Sequence, residues 1–92
     1  MTATVNRTAD TLGFTGALDR SASPALWKQA QPLLAGVAQI DLRAVSAVDS
    51  AGLALLAEIA AHCEGARLVG APAGLAELRA AYRLDERLDF AG

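Results

Sequence analysis

Residues 49–52 place a carboxylate, a hydroxyl, a methyl group and a glycine in succession: Asp49, Ser50, Ala51 and Gly52. They stand directly ahead of the Ala/Leu-rich run Leu53-Ala54-Leu55-Leu56, so the group reads as the start of a helix. The first N–H groups of a helix have no intrahelical partner, and the helix dipole is positive there. Three kinds of chemistry suit such a place. Asp49 or Ser50 can cap the helix, Ser50 can carry a phosphate as a switch, or the small exposed cluster can form a docking surface.

Catalysis finds no support in these residue types. A Ser50–His62–Asp41 triad exists on paper only, because His62 lies about three turns along the same helix, roughly 18 Å from Ser50. His62 and Cys63 are adjacent and point about 100° apart on a helix, which is not metal-ligand spacing. Neither a glycine-rich phosphate loop with its lysine nor G-x-G-x-x-G occurs. No catalytic residue, metal ligand or cofactor is therefore expected.

The elements that position the Asp49–Gly52 group follow from pattern. Thr11-Leu12-Gly13-Phe14-Thr15-Gly16 alternates as a strand, and Thr4-Val5-Asn6 pairs with it across a turn at Thr8-Ala9-Asp10. Residues 16–19 lead out of the sheet. Ser23 and Pro24 suit the N-cap and first position of a helix running to about Leu34, with Pro32 bending its last turn. Residues 37–42 form a buried-type strand, followed by a loop that carries Arg43 and Ser46. The second helix covers residues 49–63, with Leu53, Leu56, Ile59, Ala60 and Cys63 at core spacing. Leu55 and Ala51 fall away from that stripe, and Glu58 and His62 continue their side as a solvated rim. A strand at residues 67–70, a turn at 71–74 and a third helix marked by Leu75, Leu78 and Tyr82 complete the pattern. The tail from Leu84 to Phe90 adds a short turn or edge segment. Strands alternating with helices predict one α/β layer with parallel pairing at the crossovers.

The 92 residues suffice for one small domain. The formal net charge is −2 and no basic stripe exists, so nucleic acid is not an expected partner. No apolar run approaches the roughly 20 residues that span a bilayer, and the N-terminus carries no apolar signal core. The lone Cys63 fits a reducing compartment. A cytoplasmic chain without direct membrane insertion is expected. Aromatics are few (Phe14, Trp27, Tyr82, Phe90), so Leu, Val and Ile must carry the core. Trp27 sits about 100° from Leu26, at the edge of the core face of the first helix, where tryptophan often anchors an interface.

Residues 40–56 resemble the signature of STAS domains, the family of sulfate-transporter tails and anti-sigma-factor antagonists. The pattern is a strand, then Asp-Ser/Thr-x-Gly-Leu at a helix start, here Asp49-Ser50-Ala51-Gly52-Leu53. Gly16-Ala17-Leu18-Asp19 is similar to the family's early Gly-x-Leu-Asp element, and Arg67-Leu68-Val69-Gly70 to its closing unit. The resemblance implies the STAS fold over residues 1–92: one small mixed sheet of about four strands against three or so helices. Anti-sigma-factor antagonists usually carry their phosphorylated serine directly before the glycine, and this chain has Ala51 there. Residues 49–56 with Leu26-Trp27 look more like the MlaB-like branch, the small STAS subunits of Mla-type phospholipid ABC transporters. That branch implies a non-enzymatic subunit bound to the transporter's ATPase, with the permease in the same complex. It would sit at the inner face of the inner membrane and support outer-membrane lipid asymmetry. Trp27, Asp49, Ser50, Ala51, Gly52 and Leu55 are the expected partner-binding residues. The alternative is an anti-sigma-factor antagonist, which requires phosphorylation at Ser50 or Ser46.

Overall fold

The computed structural model describes residues 3–63, 65–85 and 88. Its elements run β1 (Thr4–Thr8), β2 (Thr11–Leu18), α1 (Ser23–Ala30), a 3-10 turn (Gln31–Leu33), β3 (Gln39–Val48), α2 (Ser50–His62), β4 (Arg67–Val69) and α3 (Leu75–Ala81). The four strands form one sheet in the order β1-β2-β3-β4. β1 and β2 are an antiparallel hairpin, whereas β2–β3 and β3–β4 pair in parallel. This is the mixed four-stranded sheet with three helices that the STAS fold implies.

β3 is longer than its sequence suggests. The stretch read as a loop after Leu42 continues as strand to Val48. Simple alternation holds as far as Leu42, where Ile40 and Leu42 are buried and Asp41 is not. Two register shifts against β2 then intervene. While β2 goes from Gly13 to Thr15, β3 goes from Asp41 to Ala44, and while β2 goes from Gly16 to Ala17, β3 goes from Val45 to Ala47. Each shift inserts one extra residue into β3, as a bulge does. The next inward residues are accordingly Val45 and Val48, three apart instead of two. Arg43 and Ser46 thus lie exposed on a strand.

α1 begins differently from the sequence reading. Ser23 is its first residue and not the cap, and Pro24 follows in the first turn. No side chain caps α1. Asp19 instead orders the turn before it, its Oδ1 accepting from the Ala22 N–H at 2.9 Å and the Ser21 hydroxyl at 3.0 Å, while its backbone carbonyl accepts from the Ser23 N–H at 3.0 Å. The Ala22 amide, and after it the Ser21 hydroxyl, hold the Asp19 carboxyl below its ordinary value. α1 stops at Ala30, and Pro32 sits in the 3-10 turn that follows. A proline lacks the N–H that an α-turn would require, so the tighter turn fits its position. Arg7 of β1 satisfies the carbonyls at this end, its Nη1 donating to Leu33 O at 2.8 Å and also to Ala35 O.

The core lies between the sheet and α1 and α2. Leu12, Phe14 and Leu18 of β2, Ile40 and Leu42 of β3, Leu26 of α1, and Leu56 and Ile59 of α2 are fully buried. Cys63 is buried as well, and burial raises its thiol pKa. α3 is tied to β3 through the Val48 N–H, which donates to Ala73 O at 2.9 Å. Gly74 follows with φ +91, and a side chain there would stand 2.4 Å from Val48 O. Beyond α3, the Leu88 N–H donates to Asp85 O at 3.0 Å and Leu88 is buried. The remainder of the predicted tail, Glu86, Arg87, Asp89 and Phe90, lies outside the described residues.

Candidate interaction surface on the second helix

Asp49 starts α2. Its backbone is extended, and its Oδ1 accepts from the Gly52 N–H at 2.8 Å. Its second oxygen, Oδ2, accepts from the Arg20 N–H at 3.0 Å, and its own N–H donates to Leu18 O at 3.2 Å. One residue therefore joins three elements, its N–H reaching the end of β2 and its carboxylate the entry to α1 and the first turn of α2. This assigns the cap to Asp49. Ser50 is the first helical residue and is exposed.

Gly52 is buried rather than presented to the surface. A Cβ on it would lie 1.9 Å from Leu18 O, so only glycine lets α2 close on the end of β2. The expectation that Leu55 lies away from the core also needs correction, since it is 6% exposed and belongs to the core cluster. α2 is apolar over most of its circumference, so a single Leu53–Leu56 stripe underestimates its buried face.

Between α1 and α2 lies a shallow groove of about 350 Å³. Ser23, Pro24 and Trp27 form its α1 wall, and Ala51, Ala54, Leu55 and Glu58 form its α2 wall. Trp27 is half-buried and packs against the core. The structure thus brings Trp27, Ala51 and Leu55 together, with Ser50 at the adjacent helix start. On the other side of α2, Ser50, Leu53, Ala54 and Ala57 meet Tyr82 and Leu84 around a second hollow of about 270 Å³. Tyr82 is 52% exposed. The sequence reading used Tyr82 only to mark α3 and missed this hollow, because its position depends on how α3 packs beside α2. Glu58 and His62, expected to form a solvated rim, are both exposed. The His62 ring also meets the Trp27 ring edge-on, with centroids 5.6 Å apart and planes at 61°.

Charge is sparse here. An ion pair of the sheet surface, Asp41–Arg43 at 2.9 Å, lies away from the groove on β3. Ser50 and His62 stand at opposite ends of α2, too far apart to exchange a proton. Among the described residues, no group of three His, Cys, Asp or Glu could hold a metal ion. Also among them, no helix is long and apolar enough to cross a membrane. What the surface offers is small apolar side chains beside a tryptophan, which suits packing against another protein.

Comparison with known proteins agrees with this architecture. The sequence model of the family described as Mlab, STAS domain, matches residues 1–89. The intermembrane phospholipid transport system binding protein MlaB of Escherichia coli (strain K12) is 44% identical over 50 residues, 54% of this chain and 52% of that protein. MlaB of Shigella flexneri matches to the same extent. The matched stretch thus spans about half the length of these curated relatives. A solved structure described as "Crystal Structure Analysis of Mglu" superimposes with a TM-score of 0.52, covering 78% of this chain and 20% of that one. Its sequence identity is 20%, so this likeness concerns the fold alone.

Proposed function

The chain belongs to the STAS domain family of the MlaB type, and we propose that it is a non-catalytic subunit of an Mla-type phospholipid-transport ABC system. In this reading it binds the transporter's ATPase through the face built by α1 and the start of α2. Trp27 is the anchor, Ala51, Ala54 and Leu55 form the apolar floor beside it, and Ser50 stands at its edge on the helix start. Asp49 and Gly52 contribute by fixing where α2 begins, the first as its cap and the second by its close approach to β2. The ATPase is held in its assembled, active arrangement, and the chain reaches the inner face of the inner membrane only through the complex.

The groove between Trp27 and the alanines of α2 is the observation that carries this reading. It is apolar, open and lacks a pair of groups that could exchange a proton. Such a surface gains affinity by excluding water around an aromatic anchor. The relatives named for phospholipid transport supply the partner class. The competing anti-sigma-factor reading lacks a hydroxyl at its usual acceptor position, where Ala51 stands.

The test is affinity purification of the tagged chain from membranes of its own cells, followed by mass spectrometry of the co-purifying proteins. An ABC ATPase recovered with its permease is expected. Recovery of a soluble kinase or a sigma-factor regulator in their place overturns the reading and makes Ser50 and Ser46 phosphorylation candidates.

A further inference from the structure

Trp27 is held from a second side, outside the groove it lines. The His62 ring stands edge-on to the indole, with centroids 5.6 Å apart. The imidazole is itself fixed, because its Nδ1 donates to the Glu58 backbone carbonyl one turn earlier at 2.9 Å. The Glu58 carboxylate lies 4.0 Å from the same nitrogen. Glu58 in turn lines the groove opposite Trp27. A chain of contacts therefore runs from the α2 backbone through His62 to the indole and returns to the groove wall.

We propose that His62 is a positioning residue, holding the Trp27 indole in the orientation that docking requires. The inference rests on Trp27 being the anchor of the proposed ATPase contact. A half-buried tryptophan near the end of a short helix has more than one rotamer open to it, and freezing a side chain on association costs affinity. An imidazole seated against the ring removes that freedom before the partner arrives. His62 does so without lining the groove, so its effect on docking passes through Trp27.

Trp27 is the only tryptophan of the chain, so tryptophan fluorescence reports the surroundings of this one ring. The experiment compares the full chain with His62→Ala and His62→Phe. It measures acrylamide quenching of Trp27 and affinity for the purified ATPase subunit of the same organism's Mla-type transporter. In His62→Ala, quenching is expected to rise and affinity to fall about three- to tenfold, the range an edge-to-face aromatic contact supports. His62→Phe, which restores a flat ring, is expected to recover both. Unchanged quenching in His62→Ala overturns the proposal, as does raised quenching with unchanged affinity. Trp27→Ala in the same assay separates the two readings. If it binds as tightly as the parent, the docking reading itself fails, and the quenching comparison still decides whether His62 holds the ring.

Discussion

Gly52 lies flush against the Leu18 carbonyl, so close that a methyl group on its Cα would stand 1.9 Å from that oxygen. The oxygen cannot easily withdraw, because it also accepts the Asp49 N–H that begins α2. Gly52→Ala must therefore push α2 away from the end of β2 or break that bond. A loss of about 2–3 kcal/mol is expected, at the upper end of overpacking costs. A urea titration followed by far-UV circular dichroism measures it, and an unchanged midpoint would show that the junction is softer than its geometry suggests.

The Asp49 side chain serves two backbone amides, Gly52 N–H in its own helix and Arg20 N–H in the connection to α1. Asp49→Ala leaves both donors without this acceptor and is expected to cost about 1–2 kcal/mol, the range of a lost N-cap. Asp49→Asn keeps one carbonyl oxygen and should recover the Gly52 bond but not both. Ser50→Ala, one residue later and inside the helix, should change stability by no more than about 0.5 kcal/mol. Thermal melts of the three variants give the ranking. A larger loss in Ser50→Ala than in Asp49→Ala would move the cap to the hydroxyl.

Much of this arrangement was legible in residue order. Local chemistry narrows the α2 cap to Asp49 or Ser50, and the bond from the Gly52 N–H to Asp49 Oδ1 decides between them. The β1–β2 hairpin, the parallel crossovers and the buried Cys63 likewise follow from alternation, spacing and hydropathy. Three features were not legible, each for its own reason. The bulges in β3 put Leu42, Val45 and Val48 three apart, a spacing that imitates a loop when strict alternation is the template. Asp19 folds the turn ahead of α1 through the Ala22 N–H, so Ser23 is the first helical residue and not the cap that Ser23-Pro24 suggests in sequence. The Trp27–His62 contact joins two helices across 35 positions, so no local pattern announces it.

Asp41 and Arg43 form a two-pronged contact on β3, with Arg43 Nε donating to Oδ1 at 3.0 Å and Nη2 to Oδ2 at 2.9 Å. The guanidinium, and after it the Arg43 backbone amide, lower the Asp41 carboxyl from 3.8 to about 2. A depressed carboxylate stabilises the fold at pH values above its ordinary 3.8, and this contribution disappears as pH falls toward about 2. Solvent surrounds the pair and screens it, so the effect is small. Asp41→Asn should flatten the acid limb of the stability curve between about pH 4 and pH 2 while changing neutral-pH stability only slightly. Urea midpoints measured across that range test it, and an acid limb identical to the parent's would assign the acid sensitivity to other carboxylates.

Trp27→Ala and Ser50→Asp should weaken ATPase binding while acting differently on the fold. Removing the half-buried indole takes away both the anchor of the groove and packing against the core, so Trp27→Ala is expected to lower affinity and stability together. The affinity loss should be about 30-fold or more, the range of tryptophan anchors at interface centres. Ser50→Asp changes an exposed side chain in the first turn of α2, where a negative charge interacts favourably with the helix dipole by about 0.3–1 kcal/mol. Its thermal midpoint should therefore hold or rise, even as the added charge disrupts a flush apolar contact. Opposite signs in one variant separate docking from folding, which Trp27→Ala alone does not. Titration calorimetry with the purified ATPase, paired with a melt of each variant, reads both quantities. Wild-type affinity in Ser50→Asp would remove the α2 start from the contact surface, and wild-type affinity in Trp27→Ala would remove the anchor.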